Sequence, residues 1–226
     1  MRSDIFGKNL ETTSRGGMTL QNSRMVKVAL DGAVYARQGT MVAYQGQMDF
    51  EYQGSGPRRF FKKVVTGEGL PLMRVTGQGD LFLAHDAQEI HLIDLEGDSV
   101  TVNGPNVMAF ESGLNWDIRR VAGMAGRMAA GWFNTVFTGH GRLAVTTHGT
   151  PAVLTVDAPT CVDIQSAIAW SSSLRASLHS SVKMGALVGR SSGEAWQISF
   201  SGQGFVMVQA SEGITVPPHT HNTREQ

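Results

Sequence analysis

The sequence predicts an all-β chain built from three tandem, similar units, and three observations carry that prediction. The stretch Thr76-Gly77-Gln78-Gly79-Asp80-Leu81-Phe82-Leu83 returns as Thr138-Gly139-His140-Gly141-Arg142-Leu143-Ala144-Val145 and as Ser201-Gly202-Gln203-Gly204-Phe205-Val206-Met207-Val208. The first glycines stand at 77, 139 and 202, a period of 62 to 63 residues. A second element keeps the same order: Val42-Ala43-Tyr44 recurs as Met108-Ala109-Phe110 and as Ile168-Ala169-Trp170. Thirdly, the flanks of both elements alternate apolar and polar residues, the period of a half-buried strand. A unit of this size buries too little surface alone and must stack on its neighbours. The expected arrangement is therefore three pseudo-equivalent units about an approximate three-fold axis.

Taken in order, residues 1–23 are rich in Ser, Thr, Gly and Asn and read as an irregular arm. Regular structure begins with Met25-Val26-Lys27-Val28-Ala29-Leu30, which alternates as a strand does and matches the arms that follow each Gly-x-Gly. Unit one spans 24–86, unit two 87–148 and unit three 149–211, with residues 212–226 as a flexible tail. Each Gly-x-Gly between alternating arms reads as a tight hairpin turn, the glycines supplying positive φ. Phe205–Gln209 is expected to pair at the end of the chain and help close the fold. The alanine–aromatic element reads as an aromatic packed at the same place in each unit's core. It is followed by strands such as Met48-Asp49-Phe50-Glu51-Tyr52, Leu114-Asn115-Trp116-Asp117-Ile118-Arg119 and Leu174-Arg175-Ala176-Ser177-Leu178. Six or seven short strands per unit and almost no helix are expected.

Composition narrows the function classes. The chain has 226 residues, 41% hydrophobic and 17% charged, with 19 basic residues balancing 19 acidic ones. That balance argues against nucleic acid as a partner, since phosphate contacts call for an excess of Lys and Arg. A single cysteine, Cys161, rules out an intrachain disulfide framework and suits a reducing compartment. With no apolar run of spanning length and no secretory pattern at the start, a cytoplasmic protein is expected.

The linkers are where the units differ, and they hold the candidate contact residues. Arg58-Arg59-Phe60-Phe61-Lys62-Lys63 sets four cations around two aromatics; Arg119, Arg120 and Arg127 flank a Gly/Ala/Met segment; Lys183 and Arg190 bracket the third linker. Cationic amphipathic segments suit a membrane surface or a protein partner, and equally a solvated cap on the end of a β-unit. Their many glycines argue against an independent membrane helix.

The order Gly39-Thr40-Met41-Val42-Ala43-Tyr44, the basic linker running into Thr66-Gly67-Glu68, and then the Thr-Gly-x-Gly stretch resembles the altered inheritance of mitochondria 24 family. The resemblance covers roughly residues 24–210. It implies a double-stranded β-helix fold of the type named for the tryptophan RNA-binding attenuation protein, with three such units per chain and three chains in a ring. It brings no catalytic residues, and the mitochondrial relatives' tie to inner-membrane organisation is not matched by a transit-like start here.

No reaction constellation emerges from the residues. His219-Thr220-His221 lies in a polar tail after Pro217-Pro218, without framing carboxylates. His85-Asp86 and His148 fall at matching places after the first two Gly-x-Gly stretches, where the third unit has Ser211, and read as strand-end polar residues. His140 takes the place held by Gln78 and Gln203. Cys161 sits in an alternating strand and reads as a buried, inert thiol. A Gly-x-Ser-x-Gly elbow is absent, and Gly-x-Gly without a following helix is no dinucleotide fingerprint. The expectation is a non-catalytic oligomeric β-ring protein, a scaffold or organiser of partners or membrane surface. It has no cofactor, no catalytic or metal site, and itself as first partner in a homotrimer. An RNA- or small-ligand-binding module is the alternative, and an enzyme with a site at unit or subunit boundaries is a third reading.

Overall fold

The computed structural model describes residues 3–13, 16–52, 70–120, 133–180 and 196–211. Among these, a single helical turn at Ile5–Lys8 and one 3-10 turn at Gly104–Asn106 accompany fourteen strands. They are β1 (Gly17–Asn22), β2 (Met25–Arg37), β3 (Met41–Tyr52), β4 (Leu72–Leu83), β5 (Glu89–Asn103), β6 (Val107–Glu111), β7 (Asn115–Arg120), β8 (Phe133–Thr147), β9 (Ala152–Val156), β10 (Thr160–Asp163), β11 (Ala167–Ser171), β12 (Arg175–Ser180), β13 (Trp196–Ser201) and β14 (Gly204–Val208). The chain is all-β. Among the described residues the strands are fewer and longer than expected, because several run unbroken through positions the sequence marks as turns.

One pattern of pairing recurs along the chain. The last strand of each stretch returns to lie between the first strand and the aromatic strand, antiparallel to both. Thus β4 pairs with β2 from Val26↔Leu83 to Arg37↔Leu72, and with β3 from Met41↔Leu83 to Tyr52↔Met73. Likewise β8 pairs with β5 on one side and with β6 and β7 on the other. In the third stretch every long strand is split, so β14 lies between β9 and β11 while β13 lies between β10 and β12. Phe205–Val208 is therefore an interior strand of this sheet and does not close it.

The Gly-x-Gly stretches are not hairpin turns. Gly77 and Gly79 lie inside β4, Gly139 and Gly141 inside β8, and only the third copy falls at a break, between β13 and β14. Their φ values are positive, at 129°, 137°, 110°, 149° and, for Gly202, 120°. The glycines bend a continuous strand and let a neighbour approach. A Cβ on Gly77 would lie 2.1 Å from the Gln47 carbonyl oxygen, and one on Gly79 2.0 Å from that of Gln45. The second and third copies are looser because their partner strand is interrupted there, by turns in which Leu114 N–H donates to Glu111 O (3.1 Å) and Leu174 N–H to Ser171 O (3.0 Å).

Two further pairings join the stretches. Strand β2 takes β6 on its free side, setting Tyr35 opposite Phe110, and β5 takes β11, setting Thr101 opposite Trp170. Phe110 and Trp170 are buried as expected, Phe110 stacking on Tyr35 (5.1 Å) and meeting Phe137 edge-on (4.9 Å), Trp170 packing on Phe200 (5.3 Å). The cores are continuous across the joints: Met108, Ala109 and Ala144 pack with Val26, Val28 and Val34.

The N-terminal arm is more ordered than expected, since β1 pairs with β2 and buries Met18. Lys27, a buried cation on β2, is neutralised by Glu11 of the arm at 2.6 Å and Asp80 of β4 at 3.2 Å. Arg142 grips both carboxylate oxygens of Asp94 at 2.5 and 2.9 Å and donates to the Met18 carbonyl at 2.6 Å, tying arm to sheet. Such two-pronged contacts fix geometry as well as charge.

The glycine bend is testable. Gly79→Ala adds a Cβ with nowhere to go and should cost about 3 kcal/mol or more in urea denaturation. Gly32→Ala shares the positive φ but meets no atom within 4 Å, so only the conformational cost of about 1 kcal/mol applies. Equal losses at the two sites would show that crowding is not what the glycine relieves.

Candidate functional site

Of the basic linker residues expected to make contacts, Arg58, Arg59, Phe60, Phe61, Lys62, Lys63, Arg127, Lys183 and Arg190 lie outside the described residues, as do His219 and His221. Arg120 ends β7, and Arg119 precedes it with a 65% exposed side chain, paired to Asp117 at 3.2 Å. Two places among the described residues stand out instead.

The first is an unfilled strand edge. Strand β3 begins with the first copy of the alanine–aromatic element, but β4 covers only one side of it and no described strand covers the other. Tyr44 is accordingly 48% exposed, with Met41 at 39% and Val42 at 52%, where its counterparts Phe110 and Trp170 are buried. The expected core aromatic is thus a surface residue in this copy, because the joint that buries it is missing. Its counterpart is β10, an edge strand of the small β10-β13-β12 sheet. Cys161 on that strand is exposed, not buried as its alternation suggested, for the same reason: among the described residues the strand has one neighbour.

The second is a cavity of about 320 Å³ where strand ends from all three repeats meet. Arg37 arrives from the end of β2, His85 and Gln88 from the loop after β4, Asn103 from the end of β5, His148 from the turn after β8, and Gln209 from beyond β14. The buried Gln209 amide locks the place together: its Oε1 accepts from His148 N–H (2.9 Å) and its Nε2 donates to Gln165 O (3.0 Å). Arg37 Nη1 donates to the Pro105 carbonyl. Gln88 Nε2 lies 2.7 Å from His148 Nε2, while Gln88 Oε1 is buried without a donor.

The electrostatics of the cavity are lopsided. Burial pulls the Arg37 guanidinium below its ordinary range, opposed by Asp86. Burial likewise lowers the His85 pKa, helped by Arg37 and His148 and opposed by Asp86, whose carboxylate is 3.8 Å away and 80% exposed. Chain position had placed His85 and His148 at matching points of two repeats; only the fold brings them to one wall. Gln88, Asn103 and Gln209 carried no sequence signal, being ordinary polar residues near strand ends. Among the described residues, no three His, Cys, Asp or Glu side chains converge as a metal site, and no helix is long and apolar enough to cross a membrane.

A family model described as mitochondrial biogenesis AIM24 matches residues 18–211, most of the chain. The crystal structure of a Streptococcus pyogenes protein is similar in fold, with a TM-score of 0.71 at 22% identity, over 87% of this chain and 93% of that one. No curated protein matches.

A pH dependence follows from the histidines. His91, whose Nε2 lies 2.9 Å from Thr147 Oγ1, is also lowered by burial, with Glu89 opposing. A histidine with a folded pKa below the unfolded value of about 6.5 lets the unfolded chain take up its proton first. Stability from His85 and His91 is therefore present above that value and is lost as pH falls below it through the lowered folded value. The melting temperature should drop as pH falls below about 6.5, and His85→Asn with His91→Gln should flatten that slope. A double variant keeping the full slope would place its origin elsewhere.

Proposed function

The chain belongs to the mitochondrial biogenesis AIM24 family, and from that premise we propose that it is a non-catalytic structural protein that assembles with copies of itself. The observation that carries this reading is the joint between first strand and aromatic strand, made twice inside the chain and left open at both ends. Tyr35, Thr101 and Cys161 each stand nine residues before their own repeat's aromatic. Tyr35 meets Phe110 and Thr101 meets Trp170. By the same register, Cys161 on β10 of one copy faces Tyr44 on β3 of the next.

Open strand edges bearing apolar side chains are an association liability unless they are paired. Pairing them head to tail repeats a contact the chain already makes, and such a contact closes into a ring when the rotation per step fits. Three units about an approximate three-fold axis, in the manner of the attenuation-protein fold, and three chains in the ring, are the arrangement the family resemblance favours. The faces carrying the basic linkers then offer repeated contact points for protein partners or an anionic membrane surface. A single cysteine fits a cytoplasmic setting for such an assembly.

Sedimentation equilibrium at micromolar concentration tests this: species heavier than the 24.3 kDa chain are expected, and a clean monomer refutes assembly. Tyr44→Asp should weaken self-association by about tenfold or more, as for a central aromatic anchor. Under oxidation, Tyr44→Cys should cross-link to Cys161 of another copy and give covalent oligomers. An internal cross-link at monomer mass would mean instead that the chain closes on itself.

A further inference from the structure

Each repeat sets three side chains opposite one another on one face of its sheet. They are Lys27, Phe82 and Ala43 in the first, Leu92, Ala144 and Ala109 in the second, and Val153, Met207 and Ala169 in the third. In the second repeat, Leu92, Ala109 and Ala144 pack on the core of the first. In the third, Ala169 and Met207 pack on the core around Phe110. The first repeat has no repeat before it, and Ala43 is exposed where Ala109 and Ala169 are fully buried. The other end of the chain shows the complementary gap. Val28 shares a core with Met108 and Ala109 of the second repeat and is 3% exposed. Leu154 holds the matching place in the last repeat, opposite Val206 as Val28 is opposite Leu81, and is 40% exposed.

The N-terminal arm lies across the first repeat's face instead. Gln21 Nε2 donates to Leu10 O (2.9 Å), and Gln21 Oε1 accepts from Thr12 N–H (2.9 Å) and Thr12 Oγ1 (3.1 Å). Lys27 Nζ, 6.0 Å from the centre of the Phe82 ring, donates to Glu11 Oε1 (2.6 Å) and Thr12 O (3.0 Å). This grip is releasable. Ile5, Phe6 and Leu10 are all exposed, and Leu10, Thr12 and Phe82 line one cavity of about 470 Å³, so the arm fits the face loosely. If Glu11 leaves, Lys27 keeps Asp80 at 3.2 Å and is not stranded without a counter-charge. We propose that the face of Lys27, Phe82 and Ala43 docks the last repeat of a second copy, and that arm residues 8–12 are a cover that must lift first. Packed sheets stand about 10 Å apart, which leaves no room for a segment of chain between them. The inference rests on the head-to-tail assembly proposed above and adds its regulation: arm and neighbouring copy compete for one face.

Sedimentation equilibrium of the full chain beside Glu11→Lys and Gln21→Ala tests the cover. The first variant repels Lys27, and the second removes the amide that holds Leu10 and Thr12, with no change of charge. Each should self-associate about tenfold more tightly than the unaltered chain while its circular dichroism is unchanged. Amide exchange in the unaltered chain reports on the arm directly. The Thr12 N–H, held by Gln21 in the monomer, should exchange faster as rising concentration drives assembly. Assembly seen in the variants alone would support the cover equally. A chain that assembles while either variant associates no more tightly, or while Thr12 keeps its protection, overturns the cover and leaves assembly standing. A clean monomer in all three forms overturns assembly itself, and the cover with it.

Discussion

Strand β6 is held on both sides, by β8 of its own repeat and by β2 of the repeat before, and most of the structure depends on that double pairing. It buries Phe110, against which Tyr35, Trp116 and Phe137 pack, and it carries Met108 and Ala109 into the core of the preceding repeat. Strand β11 does the same one repeat later with Trp170, and Ile168 and Ala169 join the core around Phe110. Two of the three core clusters draw on more than one repeat, while the third, around Trp170 and Phe200, belongs to the last repeat alone. Stability is shared between neighbours, as in solenoids, where each unit contributes an interface as well as itself.

The same double pairing requires a long strand to serve neighbours that twist away from each other, and the glycine bends meet that requirement. Gly77 and Gly79 in β4 face Met48 and Gly46 in β3, so the two strands cross with their backbones almost touching. Where the partner is broken into two short strands, as with β6 and β7, the crossing relaxes: a Cβ on Gly139 would meet nothing closer than 3.9 Å, and one on Gly141 would meet the side chains of Glu111 and Leu114 at 3.1 and 3.2 Å ahead of any backbone. Repeat sequences that look alike thus do different mechanical work, depending on whether the strand opposite is whole.

Strand ends collect on one side of this arrangement because every repeat turns from its first strand into its aromatic strand at the same place. The turns at Arg37–Thr40, Asn103–Asn106 and Asp163–Ser166 are hooked by similar bonds: Ala84 N–H to Thr40 O (2.8 Å), Asn106 Nδ2 to Thr146 O (2.8 Å) and Gln209 N–H to Ser166 O (2.9 Å). Polar side chains gather there because turn backbone needs partners that the ladders no longer supply. The open edges of β3 and β10 and the gathered strand ends are different parts of one repeated plan.

The sequence by itself determined the strand content, the repeat period and the place of the aromatic in each repeat, since side-chain alternation and glycine position are local properties of an extended chain. It also determined the neutral charge balance that argues against a nucleic-acid partner. The tertiary structure decided what each local feature does. The same Gly-x-Gly is a hairpin signal or a mid-strand bend according to whether a second strand runs past it, and β3 running past Gly77 and Gly79 settled that. Tyr44 and Phe110 occupy equivalent places in the sequence, yet one is half exposed and the other buried, because only β6 has a preceding repeat to pair with. His85 and His148 meet for a similar reason: distances between repeats depend on how sheets join, and no residue's own pattern encodes its neighbour's repeat.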